Sequence, residues 1–365
     1  MVEMHRRGKE RFSELFEAID ERSALIERMI FDRGFHRRFS PNHLNIAVYS
    51  YFKQGGKALR PAVLLFACGA VGGDEEMALP AAAALEAYHT WTLVHDDIID
   101  QDNRRRGGPT VHALFKEVGE KELNFDPDEA KHYGISMGIL AGDIQHAWAV
   151  SLLCKMAKSG VNEGLVLELI DKLESDVLPS LLEGETLDIQ LSSVPLSTLT
   201  EASILRMLWK KTGVLYRFAG WAGAIIGGGT IEEVAGISSF CSRCGLAFQL
   251  VDDILGLVGD EDVLGKPVGS DIREGKKTIP ILFTYKNSGK EDRDFIEMVL
   301  GNHRVDEGKV KRLVEMVRVS GGIDYTDSLA RRLVSGAREK LNVLRYSRYK
   351  KYFELLSEFI VSRDY

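Results

Sequence analysis

The stretch AAAALEAYHTWTLVHDDIID (81–100) decides how this chain folds. It contains no proline, and Leu85, Tyr88, Thr92 and His95 recur at three- and four-residue spacing, which places them on one face of a helix. The spacing predicts a helix over 81–100. The same period returns at Ile204, Leu208, Leu215 and Phe218, and again at Leu246, Leu250 and Ile254. Proline is scarce, 9 in 365 residues, roughly half of the usual share of about 5%. Short runs of alternating apolar and polar residues bounded by turn dipeptides are nearly lacking, so the chain reads as all-α. Breaks fall at 54–56, 71–74, 106–109, 124–128 and 227–229, and the longest loop-like piece is 117–133, polar and carrying Pro127. No repeat of 20–50 residues and no low-complexity linker divides the chain, which predicts one domain over 1–365.

Composition excludes several classes of function. With 47 Lys and Arg against 54 Asp and Glu the net charge is −7, and a nucleic-acid binder needs a basic excess to neutralise phosphates. The 45% apolar and 28% charged content is that of an ordinary soluble globular protein, not a disordered one. The most apolar stretch, Phe218 to Ile231, has 14 residues and is rich in glycine, whereas a bilayer takes about 20, so no membrane span is expected. The first residues lack the apolar core of a secretory signal. Four cysteines, Cys68, Cys154, Cys241 and Cys244, make no disulfide framework, which points to the cytoplasm.

The chemistry is carried by charged residues in unusual company. Asp96, Asp97 and Asp100 form an Asp-Asp-x-x-Asp cluster in which the first and last share a helix face one turn apart. Like charges at that spacing repel unless a cation lies between them, and oxygen-only ligands are what Mg²⁺ prefers. A second pair, Asp252 and Asp253, follows Gln249 at three and four spacing inside the apolar run LAFQLVDDIL (246–255), where unpaired carboxylates are expensive. Arg104, Arg105 and Arg106 precede two glycines. GGKALRP (55–61) and GKPVGSDIREGKKT (265–278) set Lys and Arg among glycines, whose open backbone lets N–H groups approach an anion. Neither matches a P-loop. Two carboxylate clusters with several cationic phosphate sites describe a transferase acting on two diphosphates.

These residues resemble the trans-isoprenyl diphosphate synthase, or polyprenyl synthetase, family. GGKALRP (55–61), His89 with LVHDDIID (93–100), RRGGP (105–109), KT (211–212) and QLVDD (249–253) followed by GKPVGSDIREGKKT (265–278) stand in family order over roughly 55–280. The resemblance implies a single large helical bundle around a central cavity, the Asp-rich segments facing each other, in a homodimer. It implies head-to-tail joining of isopentenyl diphosphate to an allylic diphosphate (dimethylallyl, geranyl or farnesyl) with release of pyrophosphate. Lys57, Arg60, His89 and Arg106 match positions that hold isopentenyl diphosphate. Arg105, Lys211, Gln249, Lys266 and Lys276 match positions on the allylic diphosphate, with Thr212 beside them. Asp96, Asp100 and Asp252 match Mg²⁺ ligands, more than one ion per site, and Asp97 and Asp253 complete the two catalytic motifs. Ionising an allylic C–O bond concentrates charge on the departing oxygens, where cations aimed at them stabilise it. In the family account pyrophosphate takes the final proton, so no protein base is required.

The chain departs from that pattern at Gly256, where the second motif usually carries a third aspartate; Asp260 and Asp271 are the carboxylates at hand to compensate. Glu185, in GETLD (184–188), stands where glutamine is commoner, and reads equally as a polar helix residue or a cavity residue. Bulky residues before the first motif set product length in the family. Trp91 and Tyr88 lie five and eight residues before Asp96, about 7.5 and 12 Å along a helix, and Thr92 is small where strict fifteen-carbon enzymes of one subtype carry an aromatic. Geranylgeranyl diphosphate is therefore the expected product, with farnesyl diphosphate next. A terpene cyclase would share the acidic motifs but needs no isopentenyl diphosphate pocket, and a non-catalytic synthase subunit would lose acidic ligands, of which only Gly256 is a sign. Cys241 and Cys244 read as buried structural thiols, His112 and His146 as structural, His95 as structural or as tuning the metal, and Asp143 as a cavity residue or a cap.

Overall fold

In the computed structural model, which describes residues 11–32, 39–56, 58–258, 269–302 and 304–362, nearly every element is helical, as the spacing predicts. The chain divides into two compact units, Met1–Lys172 with Trp221–Thr230, and Leu173–Gly220 with Ile231–Tyr365.

The first unit contains α1 (Ser13–Ile30), α2 (Asn42–Lys53), α3 (Leu59–Ala70), α4 (Glu75–Ile99), the two-residue strands β1 (Arg104–Arg105) and β2 (Gly108–Pro109), α5 (Val111–Glu122), α6 (Pro127–Lys158) and α7 (Glu163–Asp171). Helix α4 starts six residues earlier than the apolar period indicates, because Asp74 caps it by accepting from the Glu76 N–H at 3.0 Å, with two glutamates in the first turn. It packs against α6, and α6 also against α5. Glycines at 134, 138 and 142 make this possible: a Cβ at Gly138 would lie 2.6 Å from Ile98, and one at Gly142 would enter the His95 ring. Every fourth residue of that face is thus backbone alone, and α6 closes on its neighbours.

The loop expected over 117–133 is a correction. α5 runs to Glu122 and α6 begins at Pro127, leaving four residues between them. Asp126 and Glu129 form a reciprocal capping box and Pro127 occupies the first turn, so the proline and the acidic run are the start signal of a helix. The β1–β2 hairpin turns through Arg106 and Gly107, both in the left-handed region at φ 51° and 80°, as a two-residue hairpin loop requires.

The second unit holds α8 (Leu178–Ser193), α9 (Glu201–Leu208), the first half of α10 (Val214–Ile226), α11 (Ile231–Val258), α12 (Ser270–Glu274), α13 (Ile279–Asn287), α14 (Lys290–Val299), α15 (Glu307–Val319), α16 (Gly322–Arg338) and α17 (Arg348–Val361). α11 is its central helix, packed on α16 and α17, with Phe240 and Phe353 meeting edge to face at 5.2 Å. A π-helical turn, Trp209–Gly213, joins α9 to α10. The period through Ile204, Leu208, Leu215 and Phe218 is therefore carried by two helices and an inserted residue, not by one continuous helix.

Among the described residues two helices, α6 and α11, are long and apolar enough by length and composition to cross a membrane, and 50% and 56% of their apolar windows are buried inside the protein. Burial of that extent is what the core helix of each unit needs.

Candidate active site

In the first unit, three adjacent acidic residues split by helical phase. Asp97 is completely buried and turned inward. It accepts from Arg105 Nε at 2.7 Å on Oδ1 and 2.8 Å on Oδ2 and from Arg105 Nη2 at 2.5 Å on Oδ1, and the Tyr51 hydroxyl also donates to Oδ2. Burial pushes the Asp97 carboxyl up against the pull of Arg105. Burial, the largest influence, would lower the Arg105 guanidinium, but its hydrogen bonds to Asp97 together with the negative charges of Asp97 and Asp96 hold it above its usual range. Asp96 and Asp100 take the other face of α4. Their carboxylate oxygens come within 4.8 Å of each other, and Arg105 Nη2 reaches Asp96 at 3.4 Å. An all-oxygen donor pair at that spacing fits a hard divalent cation.

Two turns earlier on α4 lies a cationic group. Arg60 Nη1 donates to His89 Nε2 at 2.8 Å. A guanidinium only donates, so Nε2 is an acceptor and the ring proton sits on Nδ1. Burial, then the charges of Arg60, Arg106 and Arg105, hold the His89 pKa well below 6.5, so the ring is neutral at physiological pH. Arg106 is fixed by a hydrogen bond to the Gly55 carbonyl, and a Cβ at Gly56 would meet its guanidinium at 2.5 Å. Glu86, buried in the same group, is raised by burial and lowered by Arg106 and Arg60. Lys57 lies outside the described residues.

The depressed His89 pKa has a consequence for stability. The unfolded chain takes up a proton near pH 6.5 and the folded chain only lower, so stability falls as pH drops below about 6.5. Urea unfolding of wild type between pH 7.5 and 5 is expected to show this loss, with a slope of up to about 1.4 kcal/mol per pH unit. His89→Gln removes part of it.

Tyr88 and Trp91 are buried with ring centroids 5.0 Å apart, and His146 packs on both, at 5.3 and 4.9 Å. Trp91 Nε1 donates to His95 Nδ1 at 3.1 Å, and His95 Nε2 lies 3.3 Å from the Ile139 carbonyl. His95 is thereby a structural residue, and His146 belongs to an aromatic cluster. Thr92 turns its hydroxyl onto the His89 carbonyl at 2.8 Å. Asp143 is exposed in the middle of α6, so it caps nothing.

In the second unit, the π-helical turn presents Lys211 and Thr212. Lys211 Nζ is held by Glu185 at 2.9 Å and Asp188 at 2.7 Å. Gly184 allows this: a Cβ there would lie 2.7 Å from the Lys210 carbonyl carbon, so α8 approaches the turn backbone to backbone. Thr212 donates to Gln249 Oε1 at 3.1 Å, and Gln249 Nε2 donates to Asp253 Oδ1 at 3.2 Å, which fixes the Gln249 amide. Asp253 is buried, and burial pushes its pKa well above 3.8, helped by Asp271, Asp252 and Asp188. Asp252 is half-buried beside it. Lys276 pairs with Glu274 at 2.9 Å and lies 4.0 Å from Asp271. Lys266 and Asp260 lie outside the described residues. Cys241 and Cys244 are buried free thiols, pushed up by burial, and hold no reactive thiolate.

Among the described residues, the first unit thus brings together Asp96, Asp97 and Arg105, and Arg60 with His89, while the second brings Lys211 to Glu185 and Asp188, and Thr212 to Gln249 and Asp253. Sequence reasoning missed Tyr51, Glu86 and Asp188. For Asp188 a signal existed: it stands three residues after Glu185, on the same helix face.

A polyprenyl synthetase family model matches residues 41–317, about three quarters of the chain. The chain belongs to the polyprenyl synthetase family. It is 36% identical over 296 residues to the geranylgeranyl diphosphate synthase of Sulfolobus acidocaldarius, covering 81% of this chain and 83% of that one. It is 35% identical to that of Methanosarcina mazei, covering 85% and 87%. Among solved structures, the geranylgeranyl pyrophosphate synthetase of Pyrococcus horikoshii superposes with a TM-score of 0.84 at 33% identity, over 97% of this chain and 99% of that chain. In this polyprenyl synthetase, the helices that carry the two Asp-rich segments are α4 and α11.

Proposed function

We propose that this prenyltransferase condenses isopentenyl diphosphate head to tail with allylic diphosphates, releases pyrophosphate, and makes geranylgeranyl diphosphate as its main product. The observation that carries the reading is the Arg60–His89–Arg106 group. It is a cationic site set about 10 Å along α4 from the Asp96–Asp100 pair. An enzyme that ionised one diphosphate would need only the acidic pair, so a separate cationic group speaks for a second diphosphate.

In this reading Lys57, Arg60, His89 and Arg106 hold isopentenyl diphosphate, with neutral His89 offering Nδ1–H as a donor. Arg105, Lys211, Thr212, Gln249, Lys266 and Lys276 hold the allylic diphosphate. Asp96, Asp100 and Asp252 hold magnesium, which when bound neutralises the diphosphate and draws charge from the breaking C–O bond. Asp97 acts through Arg105, and Asp253 through Gln249. Tyr88 and Trp91, with Thr92 beside them, set chain length. The whole chain, 1–365, works as one catalytic domain in a cytoplasmic homodimer, a compartment with which its free cysteines agree.

The test is purified protein with Mg²⁺, isopentenyl diphosphate and each allylic diphosphate in turn, with product length read by mass spectrometry. Twenty-carbon product from both dimethylallyl and farnesyl starters is the expected result; no product from any starter overturns the reading. Trp91→Ala opens the aromatic cluster formed with Tyr88 and His146, and is expected to shift the distribution to twenty-five carbons and longer. Unchanged length would remove Trp91 from that role.

A further inference from the structure

We propose that the surface formed by residues 340–351 and the start of α11 docks this protein on a membrane of anionic lipid. Residues 340–351 carry five Lys and Arg (Lys340, Arg345, Arg348, Lys350 and Lys351) and no Asp or Glu, in a chain of net charge −7. Counted with Glu339 beside them and with Glu232 and Glu233 in the first turn of α11, five cations still stand against three acids.

The segment is held in place at both ends. A 3₁₀ turn, Glu339–Val343, leads toward α17, and Leu341 and Leu344 are buried, which leaves Lys340, Val343, Arg345 and Tyr346 on the outside. The Lys350 ammonium donates to the Leu344 carbonyl at 3.1 Å, and the Lys350 N–H donates to Ser347 Oγ at 3.3 Å, the cap of α17. The turn packs on α11 at Gly236, where a Cβ would lie 2.7 Å from Val343 Cγ2 and 2.7 Å from the Lys340 carbonyl oxygen.

Apolar side chains share this surface. Ile231, 86% exposed, and Tyr346, 81% exposed, are the two most exposed large apolar side chains among the described residues, and Val343 is 43% exposed. Ile231 stands five residues before Gly236, about 7.5 Å along α11 from the Val343 contact, and Tyr346 stands three residues after Val343. Exposed apolar groups rimmed by charge mark interaction surfaces. A nucleic-acid backbone would use the cations alone, since Ile231 and Val343 have no ring to stack on bases. A lipid interface takes both kinds of group. Headgroup phosphates pair with Lys and Arg, the aliphatic groups enter the acyl boundary, and Tyr346 lies with its ring inward and its hydroxyl in water.

The experiment sediments the full-length protein with vesicles of phosphatidylcholine, or of phosphatidylcholine with about 30% phosphatidylglycerol, at about 0.1 and 0.5 M NaCl. Wild type is compared with Lys340→Glu/Arg345→Glu and with Tyr346→Ser, each checked by a circular-dichroism melt and by turnover without vesicles, which stay unchanged because these side chains are exposed. Wild type is expected to bind the anionic vesicles alone and to leave them at the higher salt. The double variant is expected to bind roughly 25-fold more weakly, at about fivefold for each cation removed. Tyr346→Ser should bind about fivefold more weakly with the same salt dependence. Should the double variant unfold, the salt series and Tyr346→Ser decide without it. Equal binding to both vesicles, no binding, or variants that sediment like wild type overturn the proposal. Tighter binding to a DNA duplex than to anionic vesicles in the same buffer overturns it in favour of nucleic acid. A double variant with an altered oligomeric state in size-exclusion chromatography overturns it in favour of a second copy of this chain.

Discussion

Asp97→Ala is expected to destabilise the protein by about 3 kcal/mol, measured by urea unfolding at pH 7. Removing one partner of a buried ion pair costs about 3–5 kcal/mol, because the other charge stays behind without compensation. Asp97 is completely buried, and it alone engages both Nε and Nη2 of Arg105. The lower end applies because the Arg105 side chain keeps 21% of its exposure and can turn toward Asp96, 3.4 Å away. Tyr51 loses its acceptor as well, inside the same core. Asp97→Asn, which keeps the shape and one acceptor, should lose less. Equal stability of wild type and Asp97→Ala would show that Arg105 is positioned by other contacts.

Asp96→Asn/Asp100→Asn should act the other way round. The two carboxylates repel at i,i+4 spacing, a destabilisation of about 0.2–0.5 kcal/mol that the amides relieve, so the melting temperature of the metal-free protein holds or rises slightly. Turnover is expected to fall by about 10³-fold or more, because stabilisation of the departing diphosphate is worth several kcal/mol and disappears with the ligands. Binding of isopentenyl diphosphate, followed by calorimetry, should remain, since Arg60, His89 and Arg106 are untouched. Parallel loss of fold and activity would mean that the pair is structural.

What was legible in the sequence follows the range of the forces involved. The α4 period and the paired acids are local, and each is found where its spacing places it. The inward turn of Asp97 follows from its adjacency to Asp96, since neighbours on a helix point about 100° apart. Its partner Tyr51 is 46 residues away, and no local pattern carries that information. The start of α6 was misread because proline and acidic residues mark both loops and helix N-termini, and only the Asp126–Glu129 pairing separates the two. Glu185 was left open between two readings; its contact with Lys211 depends on Gly184 letting two backbones meet.

The π-helical turn at Trp209–Gly213 makes residue number, as well as residue identity, a determinant of the Lys211–Gln249 cluster in the second unit. Such a turn accommodates one residue more than an α-helix would, and it sets back the phase of everything beyond it by about 100°. Loss of one codon there would let α9 run on into α10 as an uninterrupted α-helix with good hydrogen bonds throughout. Lys211 and Thr212 would then swing about a quarter of a circle away from Glu185, Asp188 and Gln249. Point substitutions in the turn's framework leave that aim intact, so this stretch is expected to tolerate changes of letter far better than changes of length.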